Sequence, residues 1–89
     1  MEAVETKRKP TDAEFTAGIR QQVLSILGKP DDYAETKVKK AGSNWRVNVY
    51  EKTAGGGSRI CDSFYVTVDE DGTIETSSPQ IRRKYAEAA

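Results

Sequence analysis

Residues 44–51, Asn-Trp-Arg-Val-Asn-Val-Tyr-Glu, alternate polar and apolar side chains and contain the only tryptophan of the chain. Side chains of an extended chain point to opposite faces in turn. Trp45, Val47 and Val49 therefore share one side, and Asn44, Arg46, Asn48 and Tyr50 the other. The stretch predicts a half-buried strand with one dry face. The remaining segments must supply what covers that face.

The cover is predicted over residues 11–27. Thr11 is placed as an N-cap with Glu14 three residues on, a capping box that satisfies two backbone donors of the first turn. Asp12 adds negative charge where the helix dipole favours it. Phe15, Ile19, Val23, Ile26 and Leu27 recur at helical spacing as one apolar stripe. Gly28 ends the helix and Pro30 prevents its resumption.

Further strands follow from the same alternation. Tyr33–Lys40 sets Ala34, Thr36 and Val38 against Glu35, Lys37 and Lys39, and its lysines suit a sheet edge that must discourage foreign pairing. Ala41-Gly42-Ser43 is a tight hairpin connection into the central strand. Thr53–Ser58 reads as a glycine-rich flexible loop. In Ser58–Asp69, Ile60, Phe64, Val66 and Val68 take one face and Cys61, Ser63, Tyr65 and Thr67 the other. Asp62 falls on the apolar face by strict alternation, which predicts a bulge beside it or a place at the sheet margin. Asp69–Gly72 is a turn, and Thr73–Thr76 returns as a short strand around Ile74.

The expected fold is α+β: one N-terminal helix packed on an antiparallel meander of three to four strands, a two-layer sandwich. Residues 1–10 are read as a disordered tail, 11–78 as a single domain and 79–89 as a C-terminal tail. In that last tail, Ile81 and Tyr85 fit one helical turn and a docked extended segment equally well. At 89 residues there is room for one domain with a thin stability margin, which dimerisation would widen.

Chemistry is constrained as much by what is missing. The chain has no histidine, which removes the commonest general base and the Ser-His and Cys-His nucleophile pairs. Its single cysteine, Cys61, allows no internal disulfide and no cysteine-based zinc site. Arg59 and Asp62 flank that thiol with opposing fields, so an idle structural cysteine is expected. Asp69, Asp71 and Gly72 imitate part of a calcium loop, yet Thr67 and Ser78 stand where its first and last ligands belong. Gly55-Gly56-Gly57-Ser58 leads into a strand rather than the helix a phosphate loop needs. No enzyme activity, metal or cofactor is expected. No run approaches the roughly 18 apolar residues of a membrane span, and no apolar leader is visible at the N-terminus, so a cytoplasmic protein is expected.

The formal charge is zero, from 14 basic and 14 acidic residues, but the signs are segregated. Residues 29–58 hold six basic residues against four acidic ones, and 59–77 hold Arg59 against Asp62, Asp69, Glu70, Asp71 and Glu75. The candidate binding surface is the sheet face turned away from the helix. It carries Arg46, Asn48 and Tyr50, then Tyr65, with Lys37 and Lys39 from the edge strand. Tyrosine and arginine are enriched at protein interfaces, so docking of another protein or a second copy is the leading expectation. The alternative is a single-stranded nucleic-acid platform using Tyr50, Tyr65, Arg46 and the edge lysines.

Trp45-Arg46-Val47-Asn48-Val49, Tyr65-Val66-Thr67-Val68-Asp69-Glu70-Asp71-Gly72-Thr73-Ile74 and Arg82-Arg83-Lys84-Tyr85 together resemble the pattern of the gas-vesicle protein O family. That family is similar in order: a helix, a Trp-x-Val-x-Val strand, a Tyr-x-Val-x-x-Asp-x-x-Gly strand and turn, and a terminal Arg/Tyr segment. The likeness spans roughly residues 44–85, and PepSY-like domains share several of its pieces. This chain departs from the family in its short glycine-rich loop between the two main strands and in lacking a long leader. The resemblance implies a non-enzymatic accessory protein that works through protein contacts.

Overall fold

A computed structural model describes residues 12–85, and the expected tail at 1–10 and the Thr11 cap lie outside them. One helix, α1 (Asp12–Leu27), precedes four strands: β1 (Tyr33–Ala41), β2 (Asn44–Lys52), β3 (Ser58–Val68) and β4 (Ile74–Ser78). The strands form one antiparallel sheet in the order β1-β2-β3-β4, with each hairpin pairing sequence neighbours. The α+β two-layer arrangement expected from the residues is the one observed.

The core lies between α1 and one sheet face. Ile19, Val23 and Leu27 are buried from the helix against Val47, Val49, Phe64 and Val66 from the two central strands. Phe15 and Trp45 extend this layer at one end, with ring centroids 5.4 Å apart, but Trp45 is only half-buried. Ile26, placed on the stripe by spacing, is 44% exposed. It lies one residue, or about 100°, from Leu27, and the covered arc of the helix does not extend that far.

The irregularity expected near Asp62 is present. Val49 pairs with Asp62 while Tyr50 pairs with Ile60, so Cys61 is the extra residue of a bulge. Two assignments change as a result. Ile60 moves off the core face to stand opposite Tyr50 and is 47% exposed. Cys61 moves the other way, packs against the core and donates its thiol to the Val49 carbonyl at 3.4 Å. A second register shift between Thr67 and Val68 leaves Glu75 as the unpaired residue of β4.

The C-terminal segment packs as an extended strap rather than a helical turn. Ile81 is buried in the core, and the backbone amides of Lys84 and Tyr85 both donate to the Leu27 carbonyl, at 2.9 and 3.0 Å. The end of α1 would otherwise leave that carbonyl without a partner. Gly28, at φ +88°, turns the chain away from the helix, and its backbone passes so close to Tyr85 that no side chain fits there.

Candidate functional site

Strand register fixes which side chains share the face opposite α1. On β1, Glu35, Lys37 and Lys39 stand opposite Tyr50, Asn48 and Arg46 of β2. On β3, Ile60, Ser63 and Tyr65 stand opposite the same three β2 residues, and Tyr65 in turn pairs with Ser78 of β4. The six residues singled out from the sequence, Lys37, Lys39, Arg46, Asn48, Tyr50 and Tyr65, are therefore contiguous on one face. No described element covers that face.

The face is ordered by its own contacts. Arg46 donates from Nη1 to the Tyr65 hydroxyl at 3.0 Å, and its guanidinium lies 5.2 Å from the Tyr65 ring centroid. The Asn48 Oδ1 accepts from the Ser63 hydroxyl at 2.6 Å and from Arg46 Nε at 3.4 Å. Lys37 Nζ sits 5.2 Å from the centroid of the Tyr50 ring. Thr67 and Thr76 share a hydrogen bond of 2.7 Å across β3 and β4. Cations over aromatic faces are held there by the ring quadrupole.

Charge is distributed unevenly over this surface. Lys37, Lys39 and Arg46, with Lys52 one alternation beyond Tyr50, face only Glu35 among the acidic strand residues paired into it. The basic side lies over β1 and β2, whereas Ser63, Thr67, Thr76 and Ser78 make the β3–β4 side neutral and hydroxyl-rich. Tyr65, 46% exposed, and Ile60 add apolar surface.

A second polar cluster escaped the sequence reading. Asp62, on the helix side of the sheet margin, accepts from the Tyr85 hydroxyl at 2.6 Å and from Lys84 Nζ at 2.9 Å. Cys61 lies against the same group. Burial, then the hydrogen bond to Asp62 and contact with Cys61, pushes the Tyr85 phenol far up. Burial also raises the Cys61 thiol, against the partly opposing hydrogen bond from Tyr85. A thiol held protonated is a poor nucleophile. The off-pattern Asp62 was the one signal for this cluster. Nothing local pairs it with a residue 23 positions later.

At the far end of the sheet Arg59 donates to Glu51 at 2.6 Å, and that hydrogen bond raises the guanidinium further above its usual value. No group of three or more histidine, cysteine or carboxylate side chains is arranged to hold a metal ion among the described residues. No helix there is long and apolar enough to cross a membrane. No protein-family model, curated protein or solved structure matches this chain.

Proposed function

We propose that this chain is a small non-enzymatic accessory domain of the cytoplasm that docks a protein through its open sheet face. The observation that carries the reading is the uncovered face itself. It presents two tyrosines, an arginine and an exposed isoleucine, while the opposite face is closed by α1 and the C-terminal strap. Aromatic and arginine side chains with large contact areas are the usual anchors of protein interfaces. The hydrogen bonds among Arg46, Asn48, Ser63 and Tyr65 hold these anchors in place before a partner arrives, which lowers the ordering cost of binding. The resemblance of residues 44–85 to an accessory family points the same way.

The basic excess of the face favours a second reading, a single-stranded nucleic-acid platform. Against it, the Tyr65 and Tyr50 rings already carry Arg46 and Lys37. A base stacking on either ring has to displace that cation or use the other ring face, which lowers its gain. Cys61 is half-buried with its thiol pushed up by burial, which gives no support to a thiol-dependent enzyme.

The test is side-by-side affinity capture from source-cell lysate with wild type and the Tyr50→Ala, Tyr65→Ala variant, each with and without nuclease. A protein that survives nuclease and is lost from the variant supports docking through this face. A protein retained by the folded variant removes the face from consideration, and capture abolished by nuclease moves the function to nucleic acid.

A further inference from the structure

We infer that the partner of the open face is an acidic extended segment of another protein, with carboxylates at two alternate positions and an apolar side chain at the third. The inference rests on the docking reading above and names the chemistry of its partner.

The first observation is a set of cations without counter-charges. Lys37, Lys39 and Arg46 are exposed on this face, and exposed Lys52 stands one alternation beyond Tyr50. None of the four bonds to or pairs with a carboxylate among the described residues. The ion pairs formed between described residues, Arg59–Glu51 and Lys84–Asp62, lie off this face. Arg46 gives two of its five N–H donors to Tyr65 and Asn48, which fix the plane of the guanidinium. The other three include both protons of Nη2, part of the fork that grips a carboxylate through two parallel bonds.

The second observation is spacing. Lys39 and Arg46 form one cross-strand pair, Lys37 and Asn48 the next, and Glu35 and Tyr50 the third. Successive rows are two residues apart along the strands, or about 6.6 Å. An extended segment laid along β1 and β2 presents alternate side chains at that same interval. Its first carboxylate meets Lys39 and Arg46. Its second meets Lys37, whose ammonium rests over the Tyr50 ring at 5.2 Å. The third position meets Glu35, which repels a carboxylate, and Tyr50 with Ile60 beside it, 47% exposed. An apolar side chain fits there.

The same rows set a peptide apart from a nucleic-acid strand. A phosphate backbone is charged at every residue and has to run past Glu35, whereas a peptide places its charges only where cations stand. A segment that spans three rows is short and its ion pairs are exposed, so the binding is weak and salt-sensitive.

The experiment is fluorescence anisotropy on the full chain with a labelled peptide, Glu-Thr-Glu-Thr-Leu flanked by serines, in about 50 mM salt. Companion probes are the peptide with glutamine for both glutamates, the peptide with a third glutamate for the leucine, and a labelled oligothymidylate. The first peptide is expected to bind with a Kd of about 10–100 µM and to be released in about 0.5 M salt. Glutamine in place of glutamate is expected to weaken it about tenfold, and the third glutamate a few-fold. A Lys37→Gln, Lys39→Gln variant and a separate Arg46→Gln variant, each confirmed as folded by circular dichroism, are each expected to lose about tenfold. No binding at about 0.5 mM chain overturns the inference. So do equal binding of the glutamine peptide, tighter binding of the peptide with three glutamates, or variants that bind as wild type does. Tighter binding of the oligothymidylate than of the first peptide overturns it in favour of nucleic acid. A first peptide that fails to bind, while the Tyr50→Ala, Tyr65→Ala variant still loses a captured protein, overturns the acidic partner alone and leaves the docking reading standing.

Discussion

The Gln22 side chain pairs with the backbone around Ile74 as a neighbouring strand would. Its Oε1 accepts from the Ile74 amide at 2.8 Å, while its Nε2 donates to the Gly72 carbonyl at 2.6 Å. On the opposite edge of the sheet Arg20, two residues earlier in α1, donates to the Thr36 carbonyl at 3.0 Å. Residues two apart on a helix point to nearly opposite sides, about 200° apart. One helix thus reaches both edges of a four-stranded sheet and occupies backbone groups that a foreign strand would otherwise use.

Gln22→Ala should therefore cost more than a half-buried glutamine usually does. It strands one amide and one carbonyl at the same time, and partly buried unpaired groups cost about 1–3 kcal/mol. Urea unfolding of the variant against wild type measures this. A loss below about 0.5 kcal/mol would show that water replaces the side chain without penalty.

Gly28→Ala tests the strap. The added methyl meets the Tyr85 backbone, and φ at this position is +88°, where a side chain is strained. The expected loss is about 1–3 kcal/mol, together with faster amide exchange at Lys84 and Tyr85, whose donors to Leu27 would be displaced. Unchanged protection at those two amides would mean that the strap accommodates the methyl.

Much of this fold was legible in the residues because local period decides local structure. The alternation of Asn44–Glu51, the spacing of Phe15, Ile19 and Val23, and the glycines after Leu27 and Ala41 placed α1 and the hairpins. Register alone then assembled Lys37, Lys39, Arg46, Asn48, Tyr50 and Tyr65 on one face. The bulge was legible too, from Asp62 standing out of pattern. Its sense was not. One extra residue inverts every facing before it, so Ile60 and Cys61 exchanged sides. The strap was least legible, since Ile81 and Tyr85 are held by Leu27 and Asp62, contacts no sequence period encodes.

The inverted facing gives a direct comparison. Ile60→Thr should change stability by less than about 1 kcal/mol, because the residue is already 47% exposed and off the core. Phe64→Ala, four residues on and 5% exposed, should cost about 3–5 kcal/mol. Thermal or urea denaturation of the pair decides it. Comparable losses from both would place Ile60 in the core and remove the bulge.

Alkaline pH should weaken the domain through the cluster around Asp62. The Tyr85 phenol is half-buried and donates to a carboxylate, and both push it well above the ordinary tyrosine value near 10 in the folded state. Cys61 is raised in the same direction. For an acid whose folded pKa exceeds its unfolded one, the unfolded chain releases its proton first. Between the two values the folded state binds more protons, so stability falls as pH rises. The contribution is complete below about pH 8.5 and declines from there, first through Cys61 and then through Tyr85 above about pH 10. Tyr85→Phe removes the titrating hydroxyl. It should lower stability at neutral pH, because Asp62 loses its 2.6 Å donor, and flatten the decline above pH 10. Urea midpoints measured from pH 7 to 11 for wild type, Tyr85→Phe and Cys61→Ala separate the two groups. A Tyr85→Phe profile as steep as wild type above pH 10 would remove the Tyr85 hydroxyl as the source of the alkaline loss, and the strap would then depend on Ile81, the Leu27 carbonyl and the Lys84–Asp62 pair.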